Sequence, residues 1–548
     1  MSARSLHAHA CAFLIALTAL SSGIPLAMAQ NALNPGANQG QQLNAVPNGG
    51  GPGNGNVNVG GGGGNAQADF DSLIDLITST VDAESWLDAG TGEGQIMPFD
   101  INGVYVDADR AVKINGGGQK ASLTAIHRQG RRSTTPGTEA DKNASQAQSR
   151  TPSALRYVSL SRLEAAIARQ QRRHEPMDPA VATLAGLQRI THVIVYPETG
   201  DLVLAGPAGD WRAGLGSSMV STEMGRPVVR LDDLLALWRR QRSERSAPFG
   251  CSIVPRKEAL ARTQDFLAAS AAEPIEPSNR REWLDDLRGM LGEQDVVYHH
   301  LNPETRIARL LLAADFHMKL IGMGLAEGVP GVKSYLATVR LQADGSPPAM
   351  SILRWWFAIP EATVETTGER DVFALPKRCV EVLSENELLA AQGERIHTGQ
   401  SDDLNRQFAA SFTAEFPALA AKYPVYGELE RVFELAMVLS LIEREGLTER
   451  VGWTPTLLLD AKRLRLPPTA AVNAVDTVIN HRVIGGRHII AGVSGGVRVD
   501  AGRHMKITET KDSSITKLAS VQRPTAAATQ TANSDAEAVS SPITWWWD

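Results

Sequence analysis

Tyr157-Val158-Ser159-Leu160-Ser161-Arg162-Leu163-Glu164 is the stretch whose reading decides the fold. Residues 157–160 read as a strand. Ser161 follows as a helix cap, and Glu164, three residues later, completes a capping box. A strand feeding directly into a capped helix is the unit of a mixed α and β fold. The plan returns at Val228-Val229-Arg230-Leu231 with Asp232 as the cap, and in weaker form at residues 380–383 with Ser384 and Glu387. Leu160, Leu163, Ala165 and Ile167 align with Leu231, Leu234, Ala236 and Trp238. Two matched segments are thin support for a true repeat, so the recurrence reads as shared local grammar. The expected class is α+β, with several strand–helix units and a helical hairpin.

Working outward, residues 189–196 and 202–205 form an expected hairpin around Pro197-Glu198-Thr199-Gly200, with 206–211 as a loop. Residues 280–446 read as mostly helical. Asn302-Pro303 marks a helix start, and Ile307, Leu310, Leu311, Ala314, Met318 and Ile321 line its apolar face. Residues 354–359 read as a strand carrying Trp355, Trp356 and Phe357. Residues 402–423 and 428–445 read as an antiparallel helix pair, with Leu404, Phe408, Phe412 and Leu419 facing Leu429, Phe433, Met437 and Leu441. Residues 470–500 are expected to end the fold with a helix and a Gly-rich strand pair.

The flanks differ in composition. Residues 1–29 have the form of a signal peptide: Arg4 at the start, an apolar run over 10–20, and Ala27-Met28-Ala29 before Gln30. Residues 30–68 are a Gly/Asn-rich tether without apolar content to bury. Residues 69–114 form a small α/β module, with a helical face of Phe70, Leu73, Ile74, Ile77 and Val81 and a strand over 104–106. Residues 115–152 are linker. Residues 153–505 are the main region, read as two subdomains. Residues 506–548 are a disordered Ser/Thr/Ala tail closed by Trp545-Trp546-Trp547-Asp548.

The 548 residues carry a net charge of −6, which gives no pull toward nucleic acid or anionic lipid. Basic clusters at 128–132, 169–173 and 239–245 suit helix ends and solvent. Beyond the leader, no apolar run is long enough to span a membrane. Cys11 leaves with the leader. Cys251 and Cys379 remain, and their spacing leaves open whether they pair.

The sharpest motif is Gly492-Val493-Ser494-Gly495-Gly496. It matches a Gly-x-Ser-x-Gly pattern, in which glycines free amide groups for an oxyanion. A nucleophile elbow needs a strand before it and a helix after it. Here residues 497–500 read as another strand, so a tight turn is the expectation and Ser494 the catalytic alternative. His481 and His488 stand in no recognisable setting. His299-His300 with Asp315 and His317 could be imagined as metal ligands, but their spacing diverges on helix and strand alike. No metal site is expected, and no cofactor, since Gly322-Met323-Gly324 follows a helix rather than a strand. The paired carboxylates Asp402/Asp403 and Glu428/Glu430 sit at expected helix starts, where they favour the dipole. Among the aromatics, Trp355 offers a stacking surface for a sugar or peptide. Trp545, Trp546 and Trp547 have no local core to join and point to docking, on this molecule or on a partner.

The segments Ala313-Ala314-Asp315-Phe316-His317-Met318-Lys319-Leu320-Ile321-Gly322-Met323-Gly324, Arg354-Trp355-Trp356, Tyr196-Pro197-Glu198-Thr199-Gly200-Asp201 and Gly492 to Val497 resemble those of a family of exported planctomycete proteins known as a domain of unknown function. The likeness covers most of residues 150–505. Leu76-Ile77-Thr78-Ser79-Thr80-Val81 followed by Trp86 is similar to the small N-terminal domain of secretins and TonB-dependent receptors, with Ala89-Gly90 where that module has Gly-Gly. The resemblance implies export and a shared fold, and brings no catalytic residues. The expectation is an exported, periplasmic or surface protein that binds an unknown protein or envelope component, without a membrane span and without nucleic acid. A serine hydrolase using Ser494 is the alternative.

Overall fold

A computed structural model describes residues 148–548, apart from 215–217, 245–246, 273–278, 341–351, 390–394, 485–486 and 520–543, together with two short strands near residue 100. The expected leader, tether, helix of the small module and nearly all of the linker lie outside the described residues. Within the module, β1 (Ile96–Phe99) pairs antiparallel with β2 (Gly103–Val106), which bears out the strand at 104–106.

Helices and strands are interleaved throughout, so the class is α+β. In chain order the remaining strands are β3 (Ser153–Ser159), β4 (His192–Tyr196), β5 (Asp201–Ala208), β6 (Trp211–Ala213), β7 (Met219–Ser221), β8 (Phe249–Pro255), β9 (Glu293–His299) and β10 (Ile352–Ala358). They continue with β11 (Ala362–Thr366), β12 (Val372–Ala374), β13 (Glu381–Leu389), β14 (Arg395–His397) and β15 (Ala474–Asp476). The last are β16 (Ile479–Ile484), β17 (Arg487–Val499), β18 (Met505–Glu509) and β19 (Trp546–Trp547).

Two sheets dominate. The larger runs β14-β13-β10-β17-β8-β9-β15, with β16 paired to the first half of β17. The smaller runs β18-β11-β12-β4-β5-β3-β19. Parallel pairing occurs once in each, β10 with β17 and β11 with β18. β11 follows β10 and β18 follows β17, so the same two chain segments run side by side through both sheets. One hydrophobic cluster extends from Val158 to Trp546 and includes residues of both. Its centre is the helix Pro424–Arg444, which buries residues on every side, including Val432, Phe433, Leu435 and Val438. A helix apolar all round belongs in an interior.

Helix α1 (Leu160–Arg172) starts two residues earlier than expected. Its cap is Ser159, whose Oγ accepts from the Arg162 amide at 3.2 Å. Ser159 also donates to Asp201 at 2.7 Å, so the strand's last residue is the one pinned in place. Glu164 does not return to its own cap. It accepts from the Leu458 amide at 2.9 Å and from Trp453 Nε1 at 2.7 Å, stitching a distant short helix start instead. Residues 228–230 form no strand, and helix α2 (Leu231–Glu244) begins before Asp232, which pairs with Arg230 at 2.6 Å. At the third site no helix begins: Ser384 and Glu387 lie inside β13. The recurrence was therefore local grammar, and of the three units the first alone is a strand leading into a capped helix.

The hairpin stands as expected, β4 to β5, with Gly200 at φ +71° in the turn. Helix α3 (Arg306–Met323) starts three residues past Pro303, capped by Thr305, and buries all six residues of the expected face. The first half of the expected pair is broken into Asp403–Ala414, which packs on β13 and reaches the second half through Phe412 and Tyr426 at 5.4 Å, and Phe416–Lys422, which packs on that second half, Pro424–Arg444. Pro424 opens the second helix rather than sitting between the two, because proline suits the first helical turn. Residues 470–500 hold strands and no helix. Beyond residue 505, β18 extends the smaller sheet, and helix α4 (Ser513–Ala519) buries Ile515 against Tyr157 and Tyr196. Cys251 and Cys379 are both buried and unpaired.

Candidate functional site

The site is set by the alternation of one strand. In β10, Leu353, Trp355 and Phe357 face the helices, while Arg354 and Trp356 face the other way. Trp355 is fully buried. Its Nε1 donates to Asn405 Oδ1, its ring lies 4.1 Å from Phe408, and Gly322 is packed so close that a Cβ there would lie 2.1 Å from the indole. The stacking surface expected at Trp355 is thus core, and its neighbour Trp356 takes the open side.

Register carries that side across the sheet. Trp356 pairs with Leu383 and Gly496, Gly496 with Ser252, and Ser252 with Val297. This line crosses β13, β10, β17, β8 and β9. It leaves Leu383 37% and Val297 41% exposed, with Trp356 half-buried. Glycine is required at the middle of the line, because a Cβ on Gly496 would lie 2.0 Å from the Cys251 carbonyl oxygen. The result is an apolar strip with a low centre.

A polar cluster flanks the strip. The Arg354 guanidinium lies 4.4 Å above the Trp356 ring and donates to Glu385 at 2.8 Å. Glu387, fully buried, sits 3.0 Å from both Arg395 Nη1 and His397 Nδ1, and Arg354 Nε is 3.7 Å away. Burial pushes Glu385 up, but the Gly399 amide at 2.8 Å and Arg354 outweigh it and hold the carboxyl below its ordinary value. Glu385, Glu387 and His397 could each offer a ligand atom to one ion. Two guanidinium groups already balance the two carboxylates there, which makes the cluster a charge-paired network. His397 is half-exposed at its edge.

Ser494 belongs to this network. It lies within β17, not in a turn, since residues 493–498 pair with β10 and residues 495–499 with β8. The glycines around it serve strand packing: a Cβ on Gly495 (φ +145°) would lie 1.6 Å from the Trp355 carbonyl oxygen. Ser494 Oγ is buried and donates to Glu387 at 3.1 Å. The group next to the hydroxyl is a carboxylate, and the imidazole of His397 lies beyond it. The order serine–carboxylate–histidine reverses the one in which histidine takes the serine proton.

The other expected residues lie apart from this face. Trp545, Trp546 and Trp547 are buried. Trp546 pairs with Val158 and Trp547 with Tyr157, making β19 the edge strand of the smaller sheet. Among the docking surfaces the sequence left open, this molecule's own β3 takes the segment. His299 meets Ser252 Oγ at 3.0 Å, His300 meets Glu244 at 2.9 Å, and His317 meets the Tyr426 hydroxyl at 2.8 Å. Asp315 pairs with Lys319 at 2.6 Å, both fully buried. These four residues do not converge.

Sequence reasoning missed the cluster: Glu385 and Glu387 fell in a stretch read as a helix cap, and Arg395 and His397 in one read as mostly helical. It also missed buried acids with elevated pKa. Burial pushes Asp233 up to about 6 against the pull of Arg306, and Glu434 up to about 7 against Arg431 and Arg189. Glu434 sits in the apolar helix run Val432-Phe433-Glu434-Leu435, which is a signal that could have flagged it.

A family model described as a protein of unknown function, DUF1598, matches residues 251–335, the stretch from β8 through α3. No curated protein and no solved structure matches the chain. Among the described residues, no helix is long and apolar enough to cross a membrane.

Proposed function

We propose that this chain is an exported, non-catalytic binding protein of the cell envelope or surface. Its binding surface is the open face of the larger sheet, centred on Trp356, and its partner is a polypeptide. The observation that carries this reading is the line Leu383, Trp356, Gly496, Ser252, Val297, which crosses five strands with Leu383 and Val297 exposed at its ends and Trp356 half-buried between them. Apolar centres bordered by charge suit protein partners. Arg354 and His397 lie on one side, and Arg498 and His299 on the other. Export rests on the form of residues 1–29.

The test places a photo-reactive residue at Leu383 or Val297 in cells of the native host. Crosslinking to one discrete envelope protein, lost on Trp356→Ala, is the expected outcome. Crosslinking that is absent, or indifferent to Trp356→Ala in a folded chain, overturns the reading. Fractionation and N-terminal sequencing of the native protein check export, with a start at Gln30 expected. A fluorophosphonate probe is expected to leave the chain unlabelled. Labelling that vanishes in Ser494→Ala would restore the hydrolase in its place.

A further inference from the structure

The closing segment Trp545-Trp546-Trp547-Asp548 meets a ready-made seat. The Trp545 carbonyl accepts from the Ser159 amide at 2.9 Å, and the next two residues pair with β3. Arg156 is fully buried and donates from Nε and Nη2 to the two Asp548 carboxylate oxygens at 2.7 and 2.8 Å. Its other donors are spent on the carbonyls of Ser149, Thr151 and Ala185. The guanidinium is therefore fixed before the carboxylate arrives. It lies 4.5 Å from the Trp546 ring, and Trp547 stacks on Tyr157 at 5.7 Å with planes 3° apart. Main-chain pairing with alternate side-chain anchors is how a sheet edge takes up an added strand.

The chain leading to the seat is longer than the seat requires. Helix α4 packs Ile515 into the same small cluster as Trp547, and the Leu518 carbonyl accepts from the Tyr196 hydroxyl at 3.4 Å. Both attachments thus lie on one patch of the smaller sheet, yet residues 520–543 separate them. A connection of that length reaches roughly 80 Å when extended.

We propose that the β3 edge is a strand-acceptor site whose occupant in trans is the same segment from a second copy of this chain, giving a reciprocally exchanged dimer. Contacts in cis and trans are identical. The balance is set by the effective concentration of a segment joined to its own edge through residues 520–543, of millimolar order for a linked pair, against the local concentration of neighbouring copies. Each copy has one donor and one edge, so a two-fold exchange closes without leaving either unpaired. An empty edge would expose unpaired main chain and leave Arg156 buried without its carboxylate, so the edge favours whichever matching segment is present. This site lies on the smaller sheet and does not depend on the binding face of the larger one.

The test is sedimentation velocity of the full chain from ~1 µM to ~1 mM, the range that reaches the millimolar order of that effective concentration. A monomer that becomes a dimer toward the upper limit is expected. Trp546→Ala and Asp548→Asn are expected to weaken dimerisation by about tenfold or more, as for loss of a central anchor. Circular dichroism checks that both variants are folded. Where they are not, a synthetic peptide of residues 541–548 with added lysines is titrated into the unmodified dimer, and dispersal to monomers is expected. A chain monomeric throughout overturns the proposal. So does a dimer that survives both folded variants or excess peptide.

Discussion

The molecule builds the same trio twice. At the β3 edge, Arg156 lies over Trp546 and pairs with Asp548. On the larger sheet, Arg354 lies over Trp356 and pairs with Glu385. The ring distances are 4.5 and 4.4 Å, so the chemistry is the same. Burial is not: the Arg156 side chain is fully enclosed, whereas that of Arg354 is 29% exposed. In the first case each donor is matched and removal leaves carbonyls unsatisfied in the interior. In the second, water can replace what is lost. The same kinds of residue act as a lock in one place and as a surface in the other, and their surroundings decide which.

That contrast can be broken at its sealed end first. Arg156→Met strands three carbonyls and should cost about 3–5 kcal/mol, as for a broken buried pair. Urea unfolding measures it, and a loss under about 1 kcal/mol would mean the lock is not a lock. Next, Trp355→Ala and Trp356→Ala compare two neighbours on β10. The first should cost about 3 kcal/mol or more through the cavity it leaves beside Phe408, and the second under about 1 kcal/mol, in keeping with a half-open position. Equal losses would erase the distinction between the two sides of the strand.

Arg354→Gln should cost about 1 kcal/mol at neutral pH, the scale of a partly exposed pair. It also carries a pH signature. Glu385 is held below its ordinary 4.5 in the folded chain. Its contribution is therefore present above that value and lost as pH falls through the folded pKa. Removing Arg354 should raise the Glu385 pKa and shrink the acid-side loss, which carboxyl NMR titration and unfolding between about pH 3 and pH 6 would reveal. A loss of similar size is expected of Ser494→Ala, which removes one hydrogen bond to a carboxylate that keeps Arg395, for about 1 kcal/mol.

Much of the architecture was legible in the residues. The periodic face of α3, the hairpin at Gly200 and the helix pair around Pro424 followed from spacing and turn chemistry. What misled was chemistry with two outlets. Ser161 and Glu164 fit a capping box, but the hydroxyl two positions earlier was better placed, and Glu164 found a distant helix start. Ser384 and Glu387 fit the same pattern inside a strand. Local rules name a residue's possible partners, and tertiary packing chooses among them. The open face was hidden for a simpler reason. The alternation showed that Trp355 and Trp356 must part, but nothing local said which of them faces the helices. The closing tryptophans stood out as docking residues, and the fold seats them on this chain's own β3. Their seat, Arg156, lies too far back in sequence for any local rule to connect them.

That separation has a temporal side. Asp548 and its guanidinium partner are 392 positions apart, and β3 is among the first main-region strands made. Until translation has passed residue 547, β3 has a neighbour on one side alone. Completion of the smaller sheet must wait until residues 546–547 have been made, and contacts of such high order form slowly. A polypeptide whose margin closes last stays unfinished long enough to be threaded elsewhere, and finishes wherever it is released.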